Sequence, residues 1–481
     1  MKILIVTPEA TPYVKTGGLA DVTGALLKEY VRMNHQPSLM LPLYRQIGEH
    51  FTITDTGHRV NIPVGNRRTG GRILSHGPYA YFLECDEFFD RSDLYGTPDG
   101  DYPDNAARFA FFCRAALEAC IALRLEPDAI HCNDWQTGLL PLYMRTLYHN
   151  ESFSNTAALM AIHNLGYQGL FEVSHLPLTG LPEAWFNPEG IEFYGKINYL
   201  KAGLVASDMI VTVSKAYAKE ILTPEYGYGL DGFLRKRASV VRGIPNGIDT
   251  DEWNPSRDPF IPATYSATDV SGKTICKDEL LKECALSTPD RNYPLLSFIG
   301  RLSAQKGLDI FIEAADDIIA SGVNVIILGK GDEEIQNDVL RLARKYRRQI
   351  FVKIGYDEQF AHRVYAGSDF FIMPSRYEPC GLGQLIAMRY GTVPVARRTG
   401  GLRDTISDYQ PLRVSGTGFL FDDYRASSLK DCLGRALCVY MDRRRWSNLV
   451  SNAMAQDFSW ERSAKEYIAL YEDAIKRKRG Q

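Results

Sequence analysis

Short apolar runs alternate along the chain with stretches of helical spacing. Ile3-Leu4-Ile5-Val6 is short and β-branched, which predicts a buried strand. Behind it, Leu19, Val22, Leu26 and Tyr30 recur at three- and four-residue intervals, one face of a helix. Further strands are predicted at Ala129-Ile130-His131-Cys132, Ala158-Leu159-Met160-Ala161-Ile162 and Met209-Ile210-Val211-Thr212-Val213, with helical stretches such as Asn105–Leu123 between them. Composition shifts near Pro245, and from Asn246 to Pro262 the chain is rich in Asn, Asp and Pro. That segment reads as an interdomain connection. The alternation then restarts with runs at Leu295–Ile299, Val323–Leu328, Ile350–Ile354, Phe370–Met373 and Val393–Val395, and Trp460–Lys478 reads as a final helix. The expected fold class is therefore α/β, with parallel sheets covered by helices on both faces. Two doubly wound domains are expected, over residues 1–245 and 246–459. A length of 481 residues suits this at about 150 residues or more per domain.

Charge and cysteine content remove several function classes. Lys plus Arg is 55 against 58 for Asp plus Glu, a net charge of −3, which argues against a general nucleic-acid binder. The nine cysteines form no C-x-x-C pair, so neither a disulfide framework nor a zinc site is expected. Reduced thiols suit a cytoplasmic chain. No apolar stretch approaches about 18 residues, so no membrane span is expected. The start reads as a core strand rather than a signal peptide. In a cytoplasmic chain the sequon Asn150-Glu151-Ser152 counts as a chance match.

Candidate chemistry gathers where strands end, the edge at which open α/β sheets bind ligands. Lys15-Thr16-Gly17-Gly18-Leu19 follows the first strand, and Glu378-Pro379-Cys380-Gly381-Leu382-Gly383 follows Phe370–Met373. Each loop is predicted to open a helix, where exposed N–H groups attract anions and glycines allow close approach. Gly300-Arg301-Leu302-Ser303-Ala304-Gln305-Lys306-Gly307 follows a third strand, and its two cations suit a diphosphate. Glu378 reads as an acceptor for sugar hydroxyls, or else as a dipole partner in a helix's first turn. Cys380 reads as packing or a donor contact, with a reactive thiol at a helix start as the lesser alternative. His163 and Asn133-Asp134-Trp135-Gln136 also lie at strand ends. The latter suits sugar recognition, or loop capping by Asp134 beside a packed Trp135.

Other matches carry less. Gly227-Tyr228-Gly229-Leu230-Asp231-Gly232 fits G-x-G-x-x-G but follows no predicted strand, so a nicotinamide site is not expected. Asp99-Gly100-Asp101 and Asp249-Thr250-Asp251 read as turn residues, the pair Asp422-Asp423 has no partner pattern, and the histidines are scattered, so no metal is expected.

Several of these motifs together resemble the glycogen synthase family of bacteria and the starch synthases of plants: Lys15–Val22, His163–Gly169, Pro245–Asp249, Glu378–Leu382 and Thr399–Thr405, with Tyr102–Asn105 and Tyr226–Gly232 fitting as well. The resemblance runs essentially end to end. It implies two Rossmann-like domains facing across a deep cleft, the B-type glycosyltransferase fold, with the last helix, 460–478, returning to the first domain. It implies transfer of glucose from ADP-glucose to the non-reducing end of an α-1,4-glucan such as glycogen, with retention and without a cofactor or metal. By matching motifs, Arg301 and Lys306 would hold the diphosphate and Glu378 the glucose hydroxyls. Lys15, with Gly17 and Gly18, would meet the donor from the first domain. Cys380, Gly381, Leu382 and Gly383 would lie beside it, Asn246 and His163 would line the glucose site, Tyr356 would lie against the adenine, and Asp134 and Tyr95 would be near the acceptor or glucose. Gly383 departs from the family, which often has a hydroxyl or amide residue there, and this bears on donor affinity. UDP-glucose as donor, a phosphorylase, and a glucan-binding protein without catalysis are the competing readings. The intact set of Lys15, Arg301, Lys306 and Glu378 argues against the last.

Overall fold

A computed structural model describes residues 1–97, 99–149, 152–287 and 293–480. Asn150 and Glu151 of the sequon lie outside the described residues. The chain divides into two compact units. The first comprises Met1–Val213, Ala218–Ile244 and the C-terminal stretch from Ser463; the second comprises Ser214–Tyr217 and Pro245–Arg462.

The first unit is built on a nine-stranded sheet. Its strands are β1 (Lys2–Val6), β2 (Gln36–Pro42), β3 (Thr54–Val64), β4 (Arg67–His76), β5 (Ala80–Glu84), β6 (Ala129–Asn133), β7 (Ala157–Ile162), β8 (Met209–Thr212) and β9 (Val241–Gly243). The spatial order is β9-β8-β7-β6-β1-β2-β5-β4-β3. Pairing is parallel from β9 across to β5, with Ile3 opposite Ala129 on one side and Pro37 on the other. Beyond β5 the sheet is antiparallel. The antiparallel edge is an addition to the expected parallel sheet. The reason is legible in β3: Val60, Ile62 and Val64 are buried while Arg59, Asn61 and Pro63 face outward. That is the period-two pattern of a half-covered antiparallel strand, and it turns back at Gly65, whose φ is +61°.

Helix Asn105–Ala122 is buried around most of its circumference through Phe109, Phe111, Phe112 and Cys113. On helix Trp460–Arg479, Tyr471 lies within the first unit's core. Its hydroxyl is 3.0 Å from that of Tyr30 and 2.8 Å from Nδ1 of His131.

The second unit has an all-parallel six-stranded sheet: β10 (Leu295–Ile299), β11 (Asn324–Gly329), β12 (Ile350–Ile354), β13 (Phe370–Met373), β14 (Val393–Arg397) and β15 (Phe419–Phe421). Its order is β12-β11-β10-β13-β14-β15. Counted from β10, this is the 3-2-1-4-5-6 winding of a Rossmann sheet, whose ligand crevice opens where the order reverses, between β10 and β13. A buried ion pair secures those two strands. Lys277 Nζ lies 2.6 Å from Asp369, whose carboxylate also accepts the Leu295 N–H at 2.8 Å. In the first sheet the equivalent reversal falls between β1 and β6.

Among the described residues no helix is long and apolar enough to cross a membrane. The G-x-G-x-x-G match begins in turns after helix Lys215–Glu220, not after a strand, and its last two residues open helix Asp231–Lys236. Asp99 and Asp101 belong to a small hairpin, and Asp249 accepts the N–H groups of Asp251 and Glu252 in a turn.

Candidate active site

The reversal in the second sheet brings together the loops after β10 and β13, which carry the predicted cations and the predicted carboxylate. Lys306 Nζ lies 2.6 Å from Glu378 Oε2. The glutamate is 5% exposed and also accepts the Ser375 hydroxyl at 3.1 Å. Glu378 is thus not a dipole partner in a helix's first turn, because the helix it precedes runs from Gly383 to Arg389. The loop opens its helix at Gly383, and Gly381 before it takes a left-handed φ of +74°. Arg301 is exposed on the loop after Gly300. Tyr356, 77% exposed, follows β12 at the same edge of the sheet.

Glycines set how closely these loops approach. A Cβ on Gly307 would lie 2.0 Å from the Pro374 carbonyl oxygen. On Gly400 it would lie 1.9 Å from the Glu378 carbonyl oxygen, and on Gly401 2.1 Å from that of Cys380. Gln384 fixes the loop from below, its amide donating to the carbonyls of Cys380 and Gly381 at 3.1 and 2.8 Å. Gly383 faces the ring of Phe371, which an added Cβ would approach to 2.7 Å.

Cys380 is buried, and desolvation pushes its thiol up to about 12. This corrects the reactive-thiol alternative, since a neutral buried thiol is inert. Leu382 is partly buried against the core of this unit. Asn246 Oδ1, Ser303 Oγ and Thr399 Oγ1 are buried in this unit without a hydrogen-bond partner. Unsatisfied buried polar groups are costly, and their presence beside the loops marks a surface shaped for a polar ligand. Ser303 and Thr399 carry no catalytic signature in the sequence; only their position on these loops singles them out.

In the first unit the reversal joins the loops after β1 and β6. Glu9, which sequence patterning did not single out, organises the first of them. Its carboxylate accepts the Thr16 N–H at 2.5 Å, the Thr16 hydroxyl at 2.6 Å, the Gly17 N–H at 3.3 Å and the Tyr95 hydroxyl at 2.6 Å. This corrects the picture of an open anion cradle, because the Thr16 and Gly17 N–H groups are already engaged. Gly17 is the N-cap of helix Gly18–Arg32. Lys15 pairs with Asp21 at 2.7 Å. Burial, reinforced by the Glu9 carboxylate, raises the Tyr95 hydroxyl well above its usual range.

Asp134 follows β6 with φ +55° and ψ −176°, a conformation that side chains rarely adopt. Its carboxylate accepts the His163 N–H at 2.8 Å, and burial pushes it up to about 7, with Glu9 adding to the shift. His163 Nε2 lies 2.9 Å from Asn133 Oδ1, and burial lowers the ring to about 3, so the imidazole is neutral near pH 7. Trp135 is packed against Phe109 and Phe171, at ring distances of 4.9 and 5.7 Å, so its part is structural.

Sequence comparison agrees with this architecture. Residues 2–236 match the starch synthase catalytic domain, and residues 286–449 match the glycosyl transferases group 1 model. A glycogen synthase of Syntrophotalea carbinolica is 44% identical over 481 residues, covering 99% of each chain. One from Thermodesulfovibrio yellowstonii is 42% identical over 494 residues, covering 99% of this chain and 98% of the relative. The chain belongs to the glycogen synthase and starch synthase family.

It is accordingly a glycosyltransferase of the B-type fold. The catalytic domain of starch synthase IV from Arabidopsis thaliana, solved with ADP and acarbose bound, superposes with a TM-score of 0.90 at 33% identity. That comparison covers 98% of this chain and 99% of the other. Sucrose-phosphate synthase of Thermosynechococcus elongatus, at 17% identity and a TM-score of 0.62, shares the fold alone.

Proposed function

We propose that this glycogen synthase family member transfers glucose from ADP-glucose to the non-reducing end of an α-1,4-glucan, with retention of configuration and without a catalytic metal. The observation that carries the reading is the part-buried Lys306–Glu378 pair at the reversal point of the Rossmann sheet, with Arg301 on the same loop as the lysine. A starch synthase solved with ADP and acarbose supports a nucleotide donor and a sugar acceptor here.

Arg301 and Lys306 neutralise the donor diphosphate, with Lys15 as a further contact supplied by the first unit. Glu378, held in place by Lys306 and Ser375, accepts hydrogen bonds from glucose hydroxyls. Asn246 Oδ1 and the neutral ring of His163 hydrogen-bond the sugar, and Tyr356 stacks on the base. In the reaction the bond from glucose C1 to the diphosphate oxygen breaks. The acceptor 4-hydroxyl oxygen bonds to C1 on the same face, and its proton passes to the departing diphosphate. Charge grows on the leaving oxygen, and the cations beside it lower the barrier. Asp134 and Tyr95 order the acceptor side. ADP leaves free, and the glucan leaves one residue longer.

Incubation with ADP-glucose or UDP-glucose plus glycogen, measuring nucleotide release and chain growth, tests this. ADP release coupled to growth of α-linked glucan is expected. Transfer from UDP-glucose alone overturns the donor assignment, and glucan binding without nucleotide release overturns the enzymatic reading.

A further inference from the structure

The second unit contains a group of chemistry-bearing side chains that the reaction does not use. Asp258, in the Asn- and Pro-rich connection, is fully enclosed against His362 on helix Glu358–Gly367. Its Oδ2 lies 2.7 Å from His362 Nδ1 and accepts the Tyr390 hydroxyl at 2.5 Å, while Oδ1 accepts the Phe260 N–H at 2.9 Å.

A carboxylate oxygen accepts from the ring N–H, so in the neutral tautomer that this contact selects the proton lies on Nδ1 and the lone pair on Nε2. Nε2 is buried and has no hydrogen-bond partner. The indole of Trp253 stacks on the same ring at 4.0 Å and 12°, which fixes its plane. Glu252, next to that tryptophan, and Glu358, one helical turn before His362, complete the group. Their carboxylate oxygens and the imidazole nitrogen all lie within 4.8 Å of one another.

We infer that Glu252, Glu358 and His362 Nε2 form a binding site for a divalent transition-metal ion of the zinc type. A carboxylate behind the imidazole fixes its tautomer and raises its basicity, the arrangement found behind metal-bound histidines. An imidazole with two carboxylates suits zinc-like ions, whereas magnesium and calcium prefer oxygen ligands alone. In a tetrahedral site with ligands at about 2.1 Å, donor atoms stand about 3.4 Å apart, against the 4.8 Å that encloses this group. Rotation of the two exposed glutamates therefore closes the set, and water completes the coordination. The ion would tie the interdomain connection to the helix that follows Tyr356, and no step of glucosyl transfer passes through it. The histidines are scattered in sequence, and only the fold brings His362 beside a residue more than a hundred positions earlier.

The test is equilibrium dialysis of the chelator-stripped full-length chain against Zn²⁺, with Co²⁺ absorption as a spectroscopic readout. One equivalent is expected to bind, with cobalt bands of a low-symmetry nitrogen and oxygen site, and millimolar Mg²⁺ should not displace it. Glu252→Gln and Glu358→Gln should each weaken binding by about tenfold or more; both glutamates are exposed, so these variants should keep the fold. Absence of an equivalent at 100-fold excess zinc, or unchanged affinity in the double variant, overturns the site. Thermal unfolding with and without Zn²⁺ adds a check independent of activity: a zinc-dependent rise should occur in the parent chain and vanish in the double variant, and a rise that survives in the double variant counts against the site.

Discussion

Replacement of Lys306 by alanine leaves Glu378 as a buried carboxylate without its cation. The lysine ammonium is about one-quarter exposed and the glutamate nearly enclosed, with 2.6 Å between them. Two unit charges about 4 Å apart attract by about 4 kcal/mol at an effective dielectric near 20. Breaking a fully buried pair costs about 3–5 kcal/mol. The partial exposure of Lys306 and the remaining Ser375 hydroxyl reduce this, so a stability loss of about 2–3 kcal/mol is expected. Glu378→Gln removes the charge while preserving shape, and in the double variant much of the Lys306→Ala penalty should disappear. A coupling of about 1.5–3 kcal/mol is therefore expected from urea unfolding of the four chains. Catalysis gives a second readout, because losing one preorganised charge at a developing oxyanion lowers kcat by about 10²–10³. That loss should persist at saturating donor. Coupling under about 0.5 kcal/mol, or a kcat within threefold of the parent, would refute the reasoning.

Other perturbations follow from the same geometry. Glu9→Ala strands the Thr16 and Gly17 N–H groups and the Tyr95 hydroxyl, and should lower stability by about 2–4 kcal/mol by thermal unfolding while Glu9→Gln costs less. Gly401→Ala forces a Cβ against the Cys380 carbonyl and should abolish transfer in a chain whose circular dichroism shows the protein still folded. Thiol titration of the native protein should find Cys438 reacting first and Cys380 protected until unfolding, since only Cys438 of the nine is exposed. Burial holds His131 and His163 near 3, so between that value and about 6.5 the unfolded chain binds two protons that the native chain does not. Stability should therefore fall as pH drops through that window, with Asp134, pushed up to about 7, opposing by one proton. His131→Leu should flatten the acid limb of a Tm-against-pH curve by about one proton.

Local patterning determined much of this protein. The apolar runs marked the central strands of both sheets because strands buried on two faces are nearly continuous in Val, Ile, Leu and Phe. The loops carrying Lys306 and Glu378 could be found because they follow such strands, and glycine beside charge at a strand end has few other uses. The alternation in Thr54–Val64 was equally present in the sequence, but its polar half keeps it from standing out as an apolar run. Tertiary structure alone decided the partnerships. Strand order, not sequence order, placed Lys306 against Glu378, 72 residues on. A buried glutamate, Glu9, took the N–H groups that sequence logic offered to an anion. Asp258, His362 and Glu252 carry no shared motif, and they meet because chain reversals bring distant segments to one place. Sequence periodicity records which face of an element is buried; it does not record which other element covers that face.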